Sequence, residues 1–99
     1  MSNLELEITS KACIDIEIIA DYIAKDKKSA ANKMVKLFYK TFVTLTEHPN
    51  LGKVRRDLTN LDVKFYVVKK NYLIVYKIIE NRLRILRVLS TYQDICLEI

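Results

Sequence analysis

Three extended runs stand close together in the second half of this sequence, and they constrain the fold more than anything else in it. They cover residues 63–68, 72–79 and 83–89, with only three residues between one run and the next. Connections this short join antiparallel neighbours, because a parallel pair needs a crossover of a dozen residues or more. The sequence therefore predicts a three-stranded antiparallel meander. In the first run Val63, Phe65 and Val67 alternate with Lys64, Tyr66 and Val68. The middle run, Tyr72-Leu-Ile-Val-Tyr-Lys-Ile-Ile79, is nearly continuous in apolar residues, as a central strand covered on both faces would be. Lys69-Lys70-Asn71 and Glu80-Asn81 are the turns, with Asn81 expected to carry positive φ. In the last run Leu83 and Ile85 share a face with Arg87 and Leu89, and Arg82 and Arg84 lie opposite. Arg87 thus interrupts a core-like face. Its guanidinium should pair with Asp57, Asp94 or another acid, or else contact a ligand or target, since an unpaired buried charge is costly.

The first half of the chain supplies the cover. Leu4-Glu-Leu-Glu-Ile8 alternates with the period of a half-buried strand. Thr9 or Ser10 is placed to cap a helix over 11–25, where Ala12, Ile16, Ile19, Ala20 and Ile23 recur at helical spacing. Asp26 or Ser29 should start a second helix over 30–47, with the stripe Ala31, Met34, Val35, Phe38, Phe42 and Leu45. Lys33, Lys36 and Lys40 lie on another of its faces. Pro49 stops this helix by lacking an N–H and disfavouring helical geometry at His48. Two helices joined by a few residues form an antiparallel hairpin. In the loop over 49–61, the sole glycine, Gly52, points to a tight turn with positive φ. The fold class expected is α+β: an N-terminal strand, a two-helix antiparallel hairpin and a three-stranded antiparallel meander, in a single domain over 1–99.

Charge is segregated along the chain. Residues 1–26 carry net −4, residues 27–87 net +11 and the last twelve net −2, giving +5 in all. A basic block of that size favours an anionic partner, either nucleic acid or an acidic protein segment. Cys13 and Cys96 are the only cysteines and His48 the only histidine, so no zinc site can be assembled from them; two packed thiols are expected. No Gly-rich phosphate loop, metalloprotease or nucleophile-elbow motif occurs, and no metal or cofactor is expected. No apolar run approaches the ~20 residues of a membrane span. No basic start followed by an apolar block marks a signal peptide, so a cytoplasmic protein without a membrane partner is expected. Metal-free RNA cleavage stays open, because Lys, Arg and Tyr can position phosphate, activate a 2′-OH and protonate the leaving oxygen.

The order and spacing of several segments resemble the RelE/ParE superfamily of type II toxin–antitoxin toxins, specifically its ParE branch. Ile19-Ala-Asp-Tyr-Ile-Ala-Lys-Asp26 is similar to an "I-x-x-Y-I-x-x-D" segment, and Ala30-Ala31 stands where the family's second helix starts. Leu45-Thr-Glu-His-Pro49-Asn-Leu-Gly52-Lys-Val-Arg55-Arg-Asp57-Leu58 resembles "L-x-x-x-P-x-x-G-x-x-R-x-[DE]-L". Tyr72-Leu-Ile-Val-Tyr76 resembles "Y-x-I-x-Y", and Ile85-Leu-Arg87-Val-Leu89 followed by Asp94 resembles "I-x-R-V-L-x-x-x-x-D". RelE-like ribosome-dependent mRNA endonucleases carry Arg after the tyrosine that opens the central strand, where this chain has Leu73. They also place more basic residues in the strand before it, where this chain has Tyr66 and Val68. Both departures favour ParE. Ser90 stands where many ParE-like proteins have His or Tyr.

The resemblance implies a toxin that inhibits DNA gyrase by protein binding, is not an enzyme, and is neutralised in a hetero-oligomer by a ParD-like cognate antitoxin. One alternative is an mRNA endonuclease acting on the ribosome, with Lys64, Arg84, Arg87 and Tyr92 as its catalytic set. The other is an inactive homologue that only binds. Target contact is expected at Arg55, Lys64, Lys69, Lys70, Arg84 and Arg87. Gly52, Asp57, Tyr72, Tyr76 and Asp94 are the structural motif residues, and an Arg55–Asp57 pair would tie the long loop to the sheet.

Overall fold

The computed structural model describes residues 3–90. Its elements are β1 (Glu5–Ile8), α1 (Ser10–Ala24), α2 (Lys28–Glu47), β2 (Lys53–Val54), β3 (Lys64–Val68), β4 (Tyr72–Ile79) and β5 (Arg82–Ser90). The strands form one sheet in the order β1-β5-β4-β3-β2. The meander β3-β4-β5 is antiparallel, as its short turns require. β1 lies on the far edge, parallel to β5, with Glu5 opposite Arg82, Leu6 opposite Leu83, Glu7 opposite Arg84 and Ile8 opposite Ile85. Opposite charges therefore face each other at two of the four paired positions, and apolar residues at the other two. Exposed pairs of this kind add little stability, but a slip by one residue would set glutamates beside leucines, so they fix the register. β2 was not anticipated within the 49–61 loop, because two residues are too few to show any alternation.

The helical hairpin covers one face of the sheet. Ala12 and Ile16 of α1 and Met34, Phe38, Phe42 and Leu45 of α2 pack on Val68, Ile74, Tyr76, Leu83, Ile85 and Val88. The Phe38 and Tyr72 rings meet edge to face at 5.5 Å, a geometry that their quadrupoles favour. A second, smaller cluster forms on the opposite face from Val63, Phe65, Leu73, Val75 and Leu89, with Leu58 of the long loop packed against it. Covered on both faces, Leu73–Tyr76 are all buried, whereas Lys77 and Ile78 further along β4 are exposed.

Several expectations need correcting. The face assignment in β5 is broken by a bulge between Val75 and Tyr76, which pair with Arg87 and Ile85 and leave Leu86 as the extra residue. One inserted residue switches the alternation, so Leu83 and Ile85 share the helix face with Val88 while Leu89 joins the other cluster. Positive φ falls on Lys69, Lys70 and Glu80 rather than Asn81, and not on Gly52. Cys13 is exposed, because it sits one residue beyond Ala12 and so turns off the buried stripe; Cys96 lies outside the described residues. Thr9 caps α1 by accepting from the Ala12 N–H. At α2, neither Asp26 nor Ser29 is the cap: Lys27 occupies that position and makes no side-chain hydrogen bond to the helix.

A lysine has no acceptor to offer the free N–H groups there, and its charge repels the positive end of the helix dipole. Lys27→Asp supplies both missing features. It is expected to raise the unfolding free energy by about 1 kcal/mol in urea titrations, and Lys27→Met by clearly less.

Candidate functional site

β5 runs five residues past the end of its pairing with β1, which stops at Ile8–Ile85. The backbone groups of this exposed edge are satisfied from the start of α1. The Thr9 N–H donates to the Ile85 carbonyl (3.1 Å), and its hydroxyl donates to the carbonyls of Ile85 and Leu86 (2.9 and 3.0 Å). Nearly two turns on, the Asp15 carboxylate accepts from the Val88 N–H (3.0 Å). The same carboxylate takes a two-pronged bond from Arg87, Nε at 2.7 Å and Nη2 at 2.9 Å. Arg87 therefore has its acid, and that acid comes from α1 rather than from the loop. The Asp15 hydrogen bond raises the Arg87 pKa above its ordinary value, against the opposing effect of burial.

At the other edge the long loop is latched by Tyr76. Its hydroxyl donates to the Pro49 carbonyl (2.7 Å) and accepts from the Gly52 N–H (2.8 Å). Gly52 is required by this close approach and not by its φ: a Cβ there would lie 2.5 Å from Tyr76 Cε1 and 2.7 Å from Cζ. Arg55 and Asp57 do pair, through two bonds of 3.0 and 2.8 Å. That pair is exposed and local to the loop, so it is Tyr76, not Arg55–Asp57, that ties the loop to the sheet. The Arg55 hydrogen bond lowers the Asp57 pKa, and the Asp57 hydrogen bond raises that of Arg55. Leu51, Lys53, Arg55, Phe65, Tyr66 and Val67 line a shallow groove of about 300 Å³ beside the loop.

The six residues expected to contact a target do not converge on one surface. Arg55 sits in the loop. Lys64, at the start of β3, donates to the Asn50 side chain (3.2 Å). Lys69 and Lys70 occupy the β3–β4 turn at the other end of that strand. Arg84 is held by Glu7, which also pairs with Arg82 at 3.5 Å. Arg87 is held by Asp15. Tyr92 and Asp94 lie outside the described residues. Lys69 instead lines a groove of about 450 Å³ with Ile23, Ala30, Lys33, Met34 and Leu37, where the tip of the helical hairpin meets the β3–β4 turn.

The feature that residue-by-residue reading passed over is on α2. Residues 27–46 contain five lysines and no acid. Lys33, Lys36 and Lys40 are exposed. The ion pairs seen between two described residues are made by arginines. Among the described residues, no three acids, cysteines or histidines are grouped to hold a metal, and no helix is long and apolar enough to cross a membrane.

The family model described as "ParE toxin of type II toxin-antitoxin system, parDE" matches residues 6–95. The chain belongs to the ParE toxin family. The match runs from β1 through the meander, taking in the Gly52–Tyr76 latch and the Asp15–Arg87 pair. Among solved structures, the "Chromosomal ParDE TA system from P. aeruginosa" superposes with a TM-score of 0.73 at 21% identity, covering 88% of this chain and 95% of that one. The RelE/ParE-like α+β fold is thus shared at low sequence identity. No curated protein matches the chain.

Proposed function

We propose that this ParE-family toxin acts by binding DNA gyrase and blocking it, and that a cognate ParD-like antitoxin neutralises it in a hetero-oligomer, in the cytoplasm. The observation that carries this reading is the ParE family match over residues 6–95. The side-chain geometry supports a binding protein over a ribonuclease. Leu73, at the position where the RelE-like endonucleases carry an arginine, is buried in the second core cluster. Two members of the basic set that RNA cleavage would use, Arg84 and Arg87, are engaged by Glu7 and Asp15. A guanidinium already bonded to a carboxylate must give up that partner before it can hold a phosphate.

The test is supercoiling of relaxed plasmid by gyrase in the presence of the purified toxin. Dose-dependent loss of supercoiling, reversed by the antitoxin, is expected, with messenger RNA on translating ribosomes left intact. Unimpaired supercoiling together with cut messenger would overturn the reading in favour of the endonuclease.

A further inference from the structure

We infer that the outward face of α2, the stripe Lys33–Lys36–Lys40 extended by Lys69 at the β3–β4 turn, contacts the phosphate backbone of duplex DNA. The protein uses its two kinds of cation differently. The ion pairs seen between described residues are made by arginines, which tie β1 and α1 to β5 or stay within the long loop. The α2 lysines are in none of them, and they stand in a twenty-residue stretch, 27–46, without a single acid. The spacings of three and four residues set Lys33, Lys36 and Lys40 on one side of the helix, opposite the stripe Met34, Phe38, Phe42 and Leu45 that enters the core. The stripe is about 10 Å long at 1.5 Å per residue. Lys69 continues it across the groove it shares with Lys33.

With no acid within residues 27–46, these cations repel one another, a cost that an external anion would remove. The chemistry of the stripe favours a polyphosphate over an acidic protein surface. Protein interfaces are centred on apolar and aromatic side chains and are depleted in lysine. Here only Tyr39 and Val43 are exposed large apolar residues of α2, flanking the lysines, and the neighbouring groove has its own apolar floor. Duplex DNA presents one phosphate per about 1.7 Å of its axis, so several lysines in a row each find a partner in almost any register. Such contact would be independent of base sequence and steeply dependent on salt. In the gyrase reading above it places the toxin against the enzyme's DNA as well as against the enzyme. The contact is measured without gyrase, so its failure would leave that reading standing.

The experiment is fluorescence anisotropy of short labelled duplexes of two unrelated sequences, titrated with the 99-residue protein over a range of salt. Both sequences should bind alike. The triple variant Lys33→Gln/Lys36→Gln/Lys40→Gln should bind at least ~10-fold more weakly at low salt, and its salt slope should be shallower by about 3. The matched triple Lys11→Gln/Lys53→Gln/Lys77→Gln should keep most of the affinity and slope, and the α2 Lys→Arg triple should restore both. Equal losses in the two glutamine triples would reduce the effect to net charge and overturn the proposal. So would a duplex that fails to bind at low salt, or a glutamate-rich peptide that binds the stripe more tightly than the duplex does.

Discussion

Gly52→Ala is expected to lower the unfolding free energy by about 3 kcal/mol in urea titrations, although alanine is the smallest possible change. The added Cβ has no room: it would stand 2.5 Å from Cε1 and 2.7 Å from Cζ of Tyr76, where carbon atoms pack at about 3.5–4.0 Å. The ring cannot give way, because Tyr76 is fully buried between the helices and the sheet. Moving it would also break the two hydrogen bonds that hold Pro49 and Gly52. The cause can be separated from any general intolerance of the loop. Tyr76→Leu removes the hydroxyl oxygen, Cε1 and Cζ that the Cβ would meet, so Gly52→Ala should cost far less in that background, and the two substitutions should fall well short of additive. A Gly52→Ala effect below ~0.5 kcal/mol would show that the loop shifts freely. The hydroxyl itself has a signature in pH. Burial raises the Tyr76 pKa above the ordinary 10.0, with the Gly52 N–H opposing. The folded state then holds the phenolic proton more tightly than the unfolded state. Its stabilising effect is complete below pH 10.0 and is lost as pH rises through the raised value. Tyr76→Phe should therefore lose less stability than wild type over that alkaline range.

The latch also shows where the sequence could be read and where it could not. Local signals were sufficient for the helices and the meander, because hydrophobic period and turn spacing are properties of neighbouring residues. Gly52 stood out as the one glycine, but sequence offers two uses for a glycine, unusual φ and close approach, and only the packing of Tyr76 from 24 residues away selects the second. The β5 bulge escaped for a related reason: an inserted residue leaves an ordinary alternating string on either side of it. The position of β1 was legible and passed over. Glu5-Leu-Glu-Ile8 and Arg82-Leu-Arg-Ile85 are charge complements in a shared apolar frame, and the sheet pairs them residue for residue. The lysines of α2 were likewise visible as a face. What tertiary pairing adds is that Glu5, Glu7 and Asp15 are engaged by β5 arginines, whereas Lys33, Lys36 and Lys40 enter no ion pair among the described residues.

The second large effect is expected at Asp15. Asp15→Ala should destabilise by about 3 kcal/mol, more than a typical surface ion pair would account for. The side chains of Arg87 and Asp15 are only 26% and 11% exposed. One carboxylate serves both the guanidinium and the Val88 N–H at the unpaired end of β5. Removing it leaves a half-buried cation and a strand-edge donor without their partner, whereas a solvent-exposed pair leaves nothing unsatisfied. Asp15→Asn keeps an acceptor and loses the charge, so its cost should fall to about half. Arg87→Met leaves the Val88 bond in place and should cost less than Asp15→Ala. Arg87→Lys should not restore the wild-type value, because an ammonium cannot make the two-pronged bond. The same series separates the two roles that sequence left open for Arg87. If the residue only anchors α1 to the sheet, the proposed inhibition of gyrase should be the same for Arg87→Met, measured well below its unfolding midpoint, as for wild type. Loss of inhibition in a folded Arg87→Met protein, with Asp15→Asn still inhibitory, would instead make the guanidinium part of the target surface.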